Sequence, residues 1–251
     1  MLGPRVIPVL LLGADGLVKT VRFGSPRYVG DPINAVRIFN EKEVDELVLL
    51  DLEATPAGRP PRFELVEQIA QECFMPLCYG GGVRSLDDMQ ALVKRGAEKI
   101  AVTTRAVEEP ELVSAAAERF GSSSVVVGID VKRSLWRKPT VWTHGGRKNT
   151  GRDPVAWAVE MEKRGAGEIL LNSIDRDGTM GGYDAALVKE VAGAVGVPVI
   201  ACGGAGSVGD LLGVLDWGAS AAAAGSLFVF QGKHRAVLIS YPTPAELRRG
   251  A

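Results

Sequence analysis

The sequence predicts an α/β protein: a single (β/α)8 TIM barrel over residues 1–251, built as a twofold half-barrel repeat. Three observations predict it. Short β-rich runs alternate with helical patterns along the whole chain. Several runs are almost continuously apolar, as in VVVGIDV, the pattern of parallel strands buried on both faces. The chain also repeats itself. Shifted by 122 positions, PLCYGGGVRS (76–85) lies on PVIACGGAGS (198–207), Thr103-Thr104 falls on Gly225-Ser226, and Glu46 falls on Glu168. With a slightly different shift RVIPVLLL lies on SVVVGIDV. Two half-barrels of four units each produce such a pattern, whereas an open doubly wound sheet has no reason to repeat a loop at the same place in each half.

In chain order the strands are expected at 5–12, 46–52, 75–79, 99–103, 124–131, 168–173, 197–202 and 220–225. Helical periodicity separates most of them, for example at 63–72, 86–94, 110–119, 154–163 and 185–195. Eight strand–helix units with no linker between them favour a closed barrel. With 251 residues, 46% hydrophobic and 24% charged, the composition suits one large globular domain.

Composition also excludes several function classes. No apolar run approaches the roughly 18 residues that span a bilayer. The opening MLGPRVIPVLLLGADG is too short for a signal peptide with a cleavage site, so a cytoplasmic protein is expected. Net charge is −1 with the two signs interspersed. No basic block suits nucleic acid, and no basic amphipathic stretch suits a membrane surface. Cys73, Cys78 and Cys202 are odd in number and flanked by apolar or small residues. Their spacing fits neither a disulfide framework nor a zinc site, so reduced, packed thiols are expected. No metal or cofactor is called for.

Barrel chemistry belongs where strands end and βα loops begin. Gly80-Gly81-Gly82 follows the third strand and Gly203-Gly204-Ala205-Gly206 the seventh. Glycine lets the backbone approach a phosphate and present N–H donors. After the fourth and eighth strands come Thr103-Thr104 and Gly225-Ser226, with hydroxyls available to the same anions. These residues predict two symmetry-related sites for a phosphorylated small molecule. Acids stand on the same rim. Asp130 ends VVVGID, Asp51 closes the second strand, and Asp177-Gly178 lies in DRDGT after the sixth. Carboxylates in a partly dry mouth can be tuned for acid–base work, and Asp130 and Asp177 are the expected catalytic pair. Gly178 is counted with the phosphate loop, and Lys19 with a substrate loop after the first strand. Position 11, the repeat counterpart of Asp130, is Leu, so a symmetric pair of acids is broken. At the opposite end Arg5, Glu46, Lys99 and Glu168 open strands 1, 2, 4 and 6, two cations and two anions able to close a ring across the barrel bottom.

At these residues the chain resembles the HisF family, the cyclase subunit of imidazole glycerol phosphate synthase, over essentially 4–230. The resemblance rests on DELVLLDLEAT, PLCYGGGVRS, ERFGSSSVVVGIDVKR, KNTGRDPVAWAVEMEKRGAGEIL, NSIDRDGTMGGYD and PVIACGGAGS. It implies an ammonia-using barrel paired with a glutaminase subunit of the HisH type. It also implies phosphate sites at Gly82, Thr104, Gly204 and Ser226, and an ammonia gate at Arg5, Glu46, Lys99 and Glu168. The departures are specific. The family carries an essential Asp at the end of the first strand where this chain has Leu11, and Asn where it has Thr103. FQGKHRAVLISYP replaces the usual final helix. LVKTVRF, YVGDPINAVRIFNEKEVDELVLLDLEAT and QGKHRAVLISYP are similar instead to HisF-like paralogues associated with glycosyl amidation, the WbuZ type. That resemblance implies a glutaminase and an ATP-using N-acetyl-sugar amidotransferase as partners in surface-polysaccharide (O-antigen lipopolysaccharide) pathways. Two functions are therefore weighed: ammonia delivery for sugar amidation, and the imidazole-forming cyclisation of histidine biosynthesis. An isomerase of the sister HisA type is disfavoured, because that chemistry also wants both acids.

Overall fold

The computed structural model describes residues 4–133 and 138–248. Eight parallel strands close on themselves: β1 (Val6–Leu12), β2 (Leu47–Asp51), β3 (Leu77–Gly80), β4 (Lys99–Val102), β5 (Val125–Arg133), β6 (Glu168–Ser173), β7 (Val199–Cys202) and β8 (Ala221–Ala224). Each pairs with the next, β8 pairs with β1, and the β5–β6 ladder completes the ring. This is the (β/α)8 barrel.

Period-2 alternation sorts each strand into two faces. Val6, Leu10 and Leu12, with Leu47 and Leu49, face outward into a core shared with the helices. Ile7, Val9 and Leu11 face inward with Val48, Cys78, Ala101, Val126, Leu170, Ile200, Ala221 and Ala223. The same phase carries Lys99, Ala101 and Thr103 from the bottom of β4 to the rim, and Glu168, Leu170 and Asn172 along β6. Charge, apolar filling and site chemistry therefore stack as layers on one inward face.

The repeat is visible in backbone detail at the 122-residue spacing. Ser85 (φ −145°, ψ 166°) and Ser207 (φ −149°, ψ 163°) cap helices by accepting from Asp88 N and Asp210 N. Asp31 and Asp153 cap Pro32–Glu41 and Pro154–Lys163, each with Pro in the first turn. Strands expected from 75 and 197 begin two residues later. Pro76 and Pro198 have no N–H to give a ladder, although their carbonyls accept from Leu47 N and Ile169 N, both at 2.9 Å.

Three features depart from expectation. Leu17–Lys19 and Arg27–Gly30 form an antiparallel hairpin on β1. β5 runs two residues past its expected end because Pro139–Thr143 folds back on it, Asp130 opposite Trp142. The chain after β8 forms a short hairpin, Phe230–Gln231 against Ala236–Val237, where the expectation was only that no final helix forms. Among the described residues no helix is long and apolar enough to cross a membrane.

Candidate functional site

Both glycine loops open on one cavity of about 280 Å³ at the C-terminal ends of the strands. Gly81 (φ +107°) and Gly204 (φ +120°) hold backbone that a side chain would distort. A Cβ on Gly81 would collide with the Asp51 carbonyl, and one on Gly204 with the Gly182 carbonyl. Thr103 (φ −120°, ψ −73°) and Gly225 (φ −114°, ψ −65°) hold equivalent positions before Thr104 and Ser226. The structure thus brings Gly81, Gly82, Thr103, Thr104, Gly178, Gly203, Gly204, Gly225 and Ser226 to one rim. The Thr104 hydroxyl accepts from His144 N at 3.0 Å, tying this rim to the loop after β5.

Asp130 lies low in the same cavity and accepts from Asn172 Nδ2 at 3.0 Å. Burial raises its pKa to about 6; the Asn172 bond pulls down and the Asp177 charge pushes further up. Leu11, only 8% exposed, lines the cavity where a second acid is missing. Asp177 accepts from the Thr20 hydroxyl at 3.0 Å. Burial raises its pKa as well, opposed by Thr20 and by Lys19. Lys19 is buried with its Nζ 2.5 Å from the Val9 carbonyl. Burial lowers its pKa to about 8, against the attraction of Asp177. The site therefore holds one carboxyl and one amine with values drawn toward neutrality from opposite sides.

Asp51 proves to be structural. One oxygen accepts from Glu53 N and Ala54 N, the other from Arg62 Nε at 2.9 Å, so the carboxylate ties the loop after β2 to Arg62. Burial pushes all three thiols up, Cys73 to about 11 and Cys202 to about 12, which removes them as nucleophiles at neutral pH.

At the other end of the barrel axis the four charges close a ring. Arg5 meets Glu168 at 2.7 Å and Glu46 at 2.5 Å. Lys99 meets Glu46 at 2.8 Å and Glu168 at 3.0 Å. Burial works against the Glu168 carboxylate, but Arg5 and Lys99 outweigh it and hold its pKa below the usual range. Both cations converge on Glu46 Oε2, leaving Oε1 buried with no hydrogen-bond donor among the described residues.

Sequence reasoning missed Asn172, His144 and Thr20. Asn172 was findable, since it lies in phase with Glu168 and Leu170. His144 and Thr20 arrive on hairpins that no strand pattern announced.

Asp130 also sets a stability prediction. Its carboxyl is harder to ionise folded than unfolded, so stability is lost as pH rises from about 4 to about 6. Asp130→Asn should therefore raise Tm by several degrees near pH 7.5, from about 2 kcal/mol of relieved desolvation. Near pH 3 both states are mostly protonated and the gain should all but vanish. Calorimetry at the two pH values checks this, and an equal gain at both would mean that charge is not the cause.

A family model described as histidine biosynthesis protein matches residues 5–235. A provisionally named imidazole glycerol phosphate synthase subunit, hisF2, of Pseudomonas aeruginosa is 53% identical over 251 residues, covering all of both chains. A provisionally named HisF subunit of the same synthase from Leptospira borgpetersenii is 50% identical over 244 residues, 96% of each chain. The imidazole glycerol phosphate synthase subunit HisF of Hyphomonas neptunium is 49% identical over 231 residues, 92% of this chain and 91% of its own. A barrel with this paired-loop mouth, matched over its whole length by such relatives, belongs to the histidine biosynthesis protein family as a HisF-type member.

Proposed function

We propose that this chain is the barrel subunit of a glutamine-dependent ammonia-transfer system. A separate glutaminase docks on the face of strand N-termini, and ammonia passes the charged ring and the apolar interior to a phosphorylated ligand held at the glycine loops. The observation that carries this reading is the placement of a closed four-charge ring at one end of the axis and a glycine-lined cavity at the other. The inward side chains between them are apolar. A ring of opposed charges excludes ions by offering each a like charge, while neutral ammonia can donate to the orphaned Glu46 Oε1. The glutaminase is read from the family resemblance, and none of the three raised thiols here suits glutamine hydrolysis.

Leu11 selects the chemistry at the far end. Ring closure to an imidazole needs one group to take a proton and another to give one. A leucine does neither, and each such group is worth roughly 10²–10⁴ in rate. Delivery of ammonia for sugar amidation, with an ATP-using amidotransferase completing the bond, makes no such demand. The second reading, the cyclase of histidine biosynthesis, is favoured by the names of the relatives and by the retained Asp130.

An ammonia-supplied cyclase assay with the histidine-pathway intermediate separates the two. Wild type should show negligible turnover and fail to rescue an auxotroph lacking its cyclase. Leu11→Asp should restore partial turnover if the cavity accepts the substrate. Robust wild-type turnover would return the protein to cyclisation, with Lys19 and Asp177 the groups to test for the second proton.

A further inference from the structure

A second cavity of about 140 Å³ lies beside the first, bounded by Lys19, Thr20, Ser25, Arg27, Phe230 and Arg235. It forms where the hairpin after β1 meets the hairpin after β8. The two cavities share Lys19 as a wall. Thr20 bonds to Asp177, and Arg235 Nη2 donates to the Gly178 carbonyl at 3.1 Å; both acceptor residues line the first cavity. The small cavity is thus the next compartment beyond the loop that carries Gly178.

Its charge is incomplete. Arg27 stands 5.3 Å and Arg235 6.0 Å from the Phe230 ring centroid, two guanidiniums drawn to one ring. Among the described residues no carboxylate pairs with either. Of the arginines lining the main cavity, Arg59 faces Asp51 and Arg105 faces Glu108 and Glu109, and nearby Arg62 also pairs with Asp51, whereas Arg84 makes no ion pair among the described residues. Two like charges gathered over an aromatic face, with the Ser25 hydroxyl beside them, are an arrangement that an anion completes.

We propose that this niche is an anion subsite for a second phosphoryl group, so that the ligand carries a diphosphate at the end held by Gly178, Gly203 and Gly204. The inference rests on the reading of the glycine loops as phosphate sites. It adds a second anion position at the end of the ligand beside the Gly178 loop.

Calorimetric titration with inorganic pyrophosphate and with orthophosphate tests it on the intact chain. Wild type should prefer pyrophosphate by at least about tenfold, the scale of one charge-assisted hydrogen bond. Arg27→Ala, which leaves the Arg235–Gly178 contact in place, should bind orthophosphate unchanged and lose much of that preference, and Arg27→Ala/Arg235→Ala should lose most of it. Arg27→Lys/Arg235→Lys, which keeps charge and stem packing but not the two-pronged donor, should fall between and serves if the alanine variant does not fold. An unchanged preference in the variants overturns the subsite and leaves the glycine-loop reading standing. Binding of neither anion to wild type overturns both.

Discussion

Lys99→Ala should lower stability by about 2 kcal/mol and, in the presence of the glutaminase, uncouple glutamine hydrolysis from product formation. Lys99 contacts both Glu46 and Glu168, each nearly buried. Without it Arg5 alone serves two carboxylates held close together. Removing one partner of a fully buried pair costs about 3–5 kcal/mol, and the partial exposure of Lys99 brings the figure down. Neutralising one acid should recover the stability, so Lys99→Ala/Glu46→Gln is the matched control. Chemical denaturation reads the first effect. The ratio of glutamate released to ammonia consumed, at a temperature where every variant is folded, reads the second. A ratio unchanged from wild type in the folded variant would remove the gate from the proposed function.

Gly204→Ala should abolish anion binding at its own loop and cost about 2–4 kcal/mol of stability. A φ of +120° is strained for any L side chain, and the added methyl must also displace the Gly182 carbonyl. Since Gly182 N donates to the Gly204 carbonyl at 2.9 Å, moving one strand of the loop moves the other. Gly151→Ala separates the causes, because Gly151 has φ +71° with nothing within 4 Å of an added Cβ. That control should cost only about 1 kcal/mol. In phosphate titrations followed by 31P NMR, Gly204→Ala should keep one site, at Gly81–Gly82, of the two in wild type. Two intact sites in Gly204→Ala would show that the loop does not hold the anion.

The fold was legible because barrel strands write their inward face with a two-residue period. Lys99-Ala101-Thr103 and Glu168-Leu170-Asn172 place gate, filling and rim by counting alone. The glycine clusters located the mouth, since no side chain fits where Gly81 meets Asp51. The excursions between elements were not legible. The hairpins at 17–30 and 139–149 carry mixed sequence and owe their form to pairing with β1 and β5. His144, which lines the cavity from one hairpin, and Thr20, which bonds Asp177 from the other, therefore gave no local signal. The partners of Asp51 were hidden for a related reason. Its rim position was readable, but Arg62, which reaches it from 11 residues away, was not.

Twofold repetition of the mouth has a consequence for how an elongated ligand lies in it. A truly symmetric cup would admit such a molecule head-first or tail-first with equal ease, and half the complexes would be unproductive. At the rim ends of the fourth and eighth strands one difference is Thr103 against Gly225. A methyl on Gly225 would collide with the Lys19 ammonium, so the missing side chain leaves room for that amine, whose counterpart in the other half is Val141. Asp177 answers Thr55 across the same axis, adding a carboxylate to the lysine's side. Abolishing the degeneracy takes little, since a single charge-assisted bond of about 1.5–3 kcal/mol biases two orientations by roughly 10- to 150-fold. A glycine thus gives a duplicated architecture its polarity.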